Sequence, residues 1–228
     1  MTADRKNTAL LLITVVISSV VMILVDGVMK PPYLYKSFLK IILFLLLPLG
    51  YFLIHKEQIG DLKKLFCPKK KDFLLALLLG AGVFAVILCG YFLLREHIDF
   101  SGIRDSLTNG MGVTEENFIW VSLYIAFINS LLEEFFFRGY AFLLLKKQGN
   151  RVLAYVFSSA MFAFYHVGML SGWFQIWIYI LSMLGLFVGG CIFNFLNEKC
   201  ENIYPSWIVH MFANFAINTV GFILFGII

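Results

Sequence analysis

Long apolar runs separated by short polar clusters organise this chain from end to end. Seven runs have the roughly 20 mostly apolar residues that a helix needs to cross a hydrocarbon core. They fall at 8–28, 37–54, 73–94, 117–145, 152–170, 173–196 and 204–227. Each predicts a spanning helix, because a helix satisfies its own backbone polar groups where no water can. The first run follows Arg5 and Lys6 with no small-x-small cleavage site after it, so it reads as an uncleaved first helix. The last run is long for one span, with room for a bend near Gly221. The connection from Arg95 to Asn117 is the one long polar loop. It carries a turn signal at Asn109-Gly110-Met111-Gly112, then a helix start at Thr114-Glu115-Glu116. The expected role of this loop is a connector, with a lid over an intramembrane site as the less favoured alternative.

Composition turns the pattern into a class. The chain is 61% apolar and 14% charged, with 25 phenylalanines among its 228 residues. A soluble domain of this size has no interior large enough to hide that surface. The expectation is an all-α polytopic membrane bundle, with residues 1–228 as one integral membrane domain. Cys67, Cys89, Cys191 and Cys200 are far apart and form no CxxC pair, so they read as small apolar residues rather than a metal or disulfide framework.

Charge placement predicts orientation. With the N-terminus inside, the inner segments carry twelve of the 18 lysines and arginines. The outer ones carry five, Lys30, Lys36, Lys40, Arg95 and Arg104, and Arg138 lies within a span. The asymmetry predicts a cytoplasmic N-terminus and an outer C-terminus. The Lys69-Lys70-Lys71 run is read as a topology signal beside anionic lipid, not as a nucleic-acid contact.

Against this background a few polar residues stand where lipid disfavours them. Glu133, Glu134 and Arg138 lie within six residues of the fourth span. A charge near the bilayer centre costs roughly 2.5–3.5 kcal/mol on insertion scales. At about 100° per residue, Asn129, Ser130, Glu133, Glu134 and Arg138 share one half of the helix. Glu134 and Arg138 are four apart and are expected to pair, leaving Glu133 unbalanced and suited to accept a proton from water. The fifth span carries His166, on one face with Ser159 and Phe162. The seventh carries His210 and Asn214, four apart, with Asn218 a turn further on. At 1.5 Å per residue, Glu133 lies about 20 Å from Lys146, His166 about 22 Å from Arg151, and His210 and Asn214 about 16 and 22 Å from Lys199. Four polar groups from three helices thus share one layer. Any one of them alone is as well explained by helix–helix hydrogen bonding; together they point to chemistry. Gly185 and Gly189, with Ser182 a turn earlier, form a small-residue stripe read as close helix packing.

The set suits hydrolysis by activated water. A carboxylate with a histidine can deprotonate and orient water, and a second imidazole and an amide can stabilise an oxyanion. Glu133, His166 and His210 are equally the set that would hold a zinc ion with an open fourth position. No HExxH or GxSxG motif is present, and Ser130, Ser158 and Ser159 lack an evident activating partner.

Glu133-Glu134-x-x-x-Arg138, then Phe162-x-x-x-His166, then His210-x-x-x-Asn214, in that order on separate spans, resembles the CAAX prenyl protease and bacteriocin-processing (CPBP, or Abi) family. The resemblance covers about 118–218, which it marks as the catalytic core. It implies an intramembrane endopeptidase with Glu133 as water-activating glutamate, completed by Glu134 and Arg138. His166 is implied as the glutamate's partner, and His210 with Asn214 as the oxyanion pair. Arg138 is read as the charge partner of Glu134. It implies no required cofactor, with zinc as the alternative, and a membrane-associated or lipidated peptide or protein as substrate. The short chain is similar to bacterial members tied to peptide maturation and bacteriocin self-immunity, which implies a bacterial plasma membrane. Members with eight spans exist, against the seven counted here. Two other classes compete: a proton- or ion-coupled transporter, which should show inverted repeats or paired broken helices, and a non-catalytic scaffold of the same family, which has no need of Glu133 beside two histidines.

Overall fold

The computed structural model describes residues 3–68, 70–110 and 112–228. Lys69 of the lysine run and Met111 of the turn signal lie outside the described residues, as do the side chains of Arg5, Lys6, Lys70 and Lys71. Seven helices are long and apolar enough to cross a membrane. They are α1 (Asn7–Met29), α2 (Tyr33–Ile54), α3 (Asp72–Leu94), α4 (Glu115–Lys147), α5 (Arg151–Leu170), α6 (Ile176–Cys200) and α7 (Tyr204–Leu224). No strand occurs among the described residues. The chain is therefore an all-α, multi-pass membrane protein.

The punctuation is local. α1 ends where Lys30 turns left-handed, φ 44°, and Pro32 then opens α2 as its N-cap. Thr114 caps α4: its N–H donates to Asn117 Oδ1 at 2.9 Å, and Glu115 and Glu116 occupy the first turn, as the sequence predicts. α7 opens with Pro205 and runs unbroken past Gly221. Three helices widen to i+5 hydrogen bonding along their spans, α1 in its last turn at Val25–Met29. In α2 this happens at Ile42–Leu46, just before Pro48, whose ring removes one i+4 bond. In α4 it happens at Tyr124–Asn129 and again at Glu134–Leu143, on either side of Glu133. Widened turns of this kind recur at functional sites.

The core is aromatic and centres on α4. Phe44 of α2 stacks on Phe136, ring centroids 4.2 Å apart, and meets Phe137 and Tyr165 edge-on. α5 is held on α1 by Gly168, where a Cβ would lie 2.5 Å from the Ile23 carbonyl. α6 is held on α5 by Gly190, whose Cβ position lies 3.0 Å from Ser159. Here the small-residue expectation needs correction. Gly185 and Gly189 face open space, and the close approach is made one position on, at Gly190. Outward faces carry exposed leucines and isoleucines, such as Leu10, Ile13 and Ile17 on α1 and Leu74 and Leu78 on α3. That is the surface a lipid solvent accepts.

Candidate active site

Glu133 sits on α4 with 1% of its surface exposed. Its two oxygens have different surroundings. Oε1 accepts from Asn129 Nδ2 at 2.7 Å, from the Tyr165 hydroxyl at 2.8 Å and from Lys40 Nζ at 3.2 Å. Oε2 has no hydrogen-bond partner among the described residues. It faces His166 Nε2 at 3.9 Å and His210 Nε2 at 3.8 Å.

Both imidazoles are oriented from behind. His166 ends the regular part of α5, and its Nδ1 lies 2.7 Å from the Phe162 carbonyl. A carbonyl only accepts, so this contact assigns the proton to Nδ1 and turns Nε2 toward Glu133. His210 Nδ1 lies 2.9 Å from Glu134 Oε1, and its ring stacks on Phe193, centroids 5.3 Å apart. A carboxylate likewise accepts from Nδ1 and leaves Nε2 facing Glu133.

Glu134 thus has two duties. Its Oε1 meets Arg138 Nη1 at 3.4 Å, the pairing expected from the four-residue spacing. The same oxygen also fixes His210, which the spacing within α4 alone does not reveal. Arg138 is fully buried, its guanidinium carbon 4.0 Å from the Phe162 ring centroid and 5.0 Å from that of Phe193.

Asn214 lies one turn from His210 on α7, but its amide donates to the Ile125 carbonyl of α4 at 3.2 Å rather than joining the carboxylates. Asn218 repeats the contact a turn further on, donating to the Ser122 carbonyl at 2.9 Å. Both pin α7 to α4. The three serines are occupied structurally. Ser130 Oγ accepts from Trp207 at 3.0 Å, Ser158 donates to the Phe137 carbonyl at 2.7 Å, and Ser159 accepts from Asn194 at 3.1 Å.

Three contributors to the site are absent from the sequence reading: Lys40, Tyr165 and, as a direct partner of Glu133, Asn129. Lys36 and Lys40, counted there among outer-loop charges, lie inside α2, and both are buried. Lys36 pairs with Asp26 at 2.6 Å. The available signal was spacing: Tyr33, Lys36, Ser37 and Lys40 form a polar stripe at i+3 and i+4 on an otherwise apolar helix.

Among the described residues, no group of three or more His, Cys, Asp and Glu is arranged to hold a metal ion. The separations of 3.8 and 3.9 Å exceed the roughly 3.4 Å between ligands at a tetrahedral zinc with bonds of about 2.1 Å. They are shorter than the roughly 4.6 Å between two groups bonded at about 2.8 Å to one tetrahedral water, so a water shared by both fits with its angle closed to about 90°.

Residues 115–216 match the family model described as Rce1-like, type II CAAX prenyl endopeptidase. No curated protein matches the chain, and no solved structure does.

Proposed function

We propose, from the match of residues 115–216 to the Rce1-like model of type II CAAX prenyl endopeptidases, that this chain is an intramembrane endopeptidase in which Glu133 activates water. The observation that carries the reading is the unpartnered Glu133 Oε2, held between two imidazole nitrogens. A water bound there gives its proton to Oε2 while His166 Nε2 orients it, and its oxygen attacks the scissile carbonyl carbon. The carbonyl oxygen becomes an oxyanion. With Glu134 at Nδ1, the His210 ring can carry a second proton on Nε2 and donate it as a hydrogen bond to that oxyanion. Asn214, one turn along α7 from His210, retains a second amide N–H beyond the one given to Ile125, and that N–H is the complement to His210 at the oxyanion. Collapse of the intermediate breaks the C–N bond, and the proton held by Glu133 passes to the leaving amine. No step calls on a metal.

On this reading the substrate is a membrane-associated or lipidated peptide, and the reaction belongs to peptide processing or bacteriocin self-immunity in a bacterial plasma membrane. Orientation follows the positive residues. With Lys36 and Lys40 buried in α2, the outer loops keep Lys30, Arg95 and Arg104 against twelve inner charges, which supports a cytoplasmic N-terminus.

The test uses purified protein in detergent and an internally quenched farnesylated peptide ending in a CAAX tetrapeptide. Wild type should cleave it, with or without a chelator, and His166→Ala should not. His210→Ala and Asn214→Ala should each be about 10²–10³ slower in kcat. A chelator-sensitive wild type would replace this mechanism with a metal-bound water.

A further inference from the structure

Lys40 is a buried ammonium on α2, outside the matched residues 115–216 and 3% exposed. An ammonium has three N–H donors, and Lys40 places them on Asn129 Oδ1 at 2.5 Å, on Glu133 Oε1 at 3.2 Å and on the Tyr165 hydroxyl. Each acceptor is itself tied to the same carboxylate oxygen. Asn129 donates through Nδ2 to Glu133 Oε1 at 2.7 Å, and Tyr165 donates through its hydroxyl to Oε1 at 2.8 Å. The result is a closed cage in which α2, α4 and α5 each supply a group, and every donor of the cage ends on Oε1 or on a group bonded to Oε1. No N–H of Lys40 is left over for a substrate.

We propose that Lys40 is the positioning residue for Glu133: with Asn129 and Tyr165 it occupies Oε1 and thereby leaves Oε2 as the one oxygen that takes the proton of the attacking water. The inference rests on the protease reading for the reaction and on geometry alone for the cage. Two features support it. Among the described residues Lys40 is the one lysine or arginine in contact with this carboxylate, and its contact is with Oε1, the oxygen turned away from the histidines. The cage also fixes the rotation of the carboxylate group, because three donors on one oxygen leave a single orientation in which the other faces His166 and His210.

The experiment has a stability arm and a kinetic arm on the full-length protein in detergent. Thermal unfolding is measured for Lys40→Met, Glu133→Gln and the double variant. Each single change leaves a buried charge without its partner and should lower the midpoint, and the double variant should recover most of the loss. In the peptidase assay with the quenched farnesylated peptide, Lys40→Met should lower kcat about 10²-fold with KM within about twofold of wild type. Tyr165→Phe keeps the packed ring and removes one member of the cage. It should lower kcat about tenfold, again at constant KM, which keeps the inference testable if Lys40→Met does not fold. Additive losses of stability in the double variant would overturn the cage. So would a wild-type kcat in both Lys40→Met and Tyr165→Phe while Glu133→Gln is inactive. A loss confined to KM would overturn it too, by making Lys40 a substrate contact. If wild type itself does not cleave the probe, the protease reading fails, and the stability cycle still decides whether Lys40 is coupled to Glu133.

Discussion

The two oxygens of Glu133 are separated by their neighbours: three donors crowd Oε1, and two imidazole nitrogens stand 3.8 and 3.9 Å from Oε2. A similar division holds at Glu134, where one oxygen serves both Arg138 and His210. Removing Arg138 alone strands a buried carboxylate, a cost of about 3–5 kcal/mol. Arg138→Ala should therefore lose thermal stability along with activity. Glu134→Gln combined with Arg138→Met removes both charges and should recover most of the stability in the same melt. It should not recover activity, because a glutamine cannot support a charged His210. If Arg138→Ala melts as wild type does and is merely inactive, the pairing is not what holds Arg138 in place. Glu133, Glu134, Arg138, His166 and His210 were legible in the sequence, because charged and imidazole groups in an apolar run are costly and therefore informative. Tyr165 was hidden because a tyrosine in a membrane helix is unremarkable until its hydroxyl partner is known. Lys40 was hidden because a lysine near the start of an apolar run reads as a boundary charge.

Among the helices, α5 depends on a contact that no periodicity reveals. Gly168 lies two residues beyond His166, and a Cβ there would stand 2.5 Å from the Ile23 carbonyl of α1 and 3.1 Å from the Gly27 nitrogen. Backbone atoms cannot swing aside as a side chain can. Gly168→Ala should cost about 1–3 kcal/mol by overpacking and should reduce peptidase activity by displacing His166. Gly185→Ala, at a position facing open space, should leave both the melt and the activity unchanged. Equal effects from the two variants would show that the end of α5 is not set by this contact. The seven spans themselves were readable, most of them to within a few residues, because their apolar runs are set by membrane thickness. The small-residue contact was read at Gly185 and Gly189 and occurs at Gly190. A sequence stripe shows which face is small but not which neighbour comes near. The i+5 turns of α4 also shift side chains away from the 100° spacing, so helical-wheel placement held only approximately for the residues flanking Glu133.

Across the whole molecule, charge is concentrated at one end. Glu198 of α6 receives Arg151 through Nε at 2.8 Å and Nη2 at 2.9 Å, the Tyr155 hydroxyl at 2.7 Å and Lys146 at 3.3 Å, tying α4, α5 and α6 together. Lys147 reaches Asp61 at 2.6 Å in the segment between α2 and α3. The opposite end offers, among the described residues, the buried Lys36–Asp26 pair at 2.6 Å and the exposed Arg104–Glu115 contact at 3.6 Å. If the basic end is cytoplasmic, a membrane-impermeant maleimide applied to intact cells should label Ser101→Cys and spare Cys67, which is exposed at the basic end. Labelling of Cys67 alone would reverse the orientation. The site sits between these ends with each carboxylate set against a buried cation, Glu133 against Lys40 and Glu134 against Arg138. The account turns on Glu133 as the group that accepts the water proton. Its most direct test is the initial rate of Glu133→Gln against wild type on the quenched farnesylated peptide, at equal folded fraction. Glutamine keeps the size of the side chain and loses the basic oxygen. The account predicts no turnover above the peptide alone, while wild type cleaves it in the presence of a chelator. Cleavage by Glu133→Gln at a rate near that of wild type would contradict it.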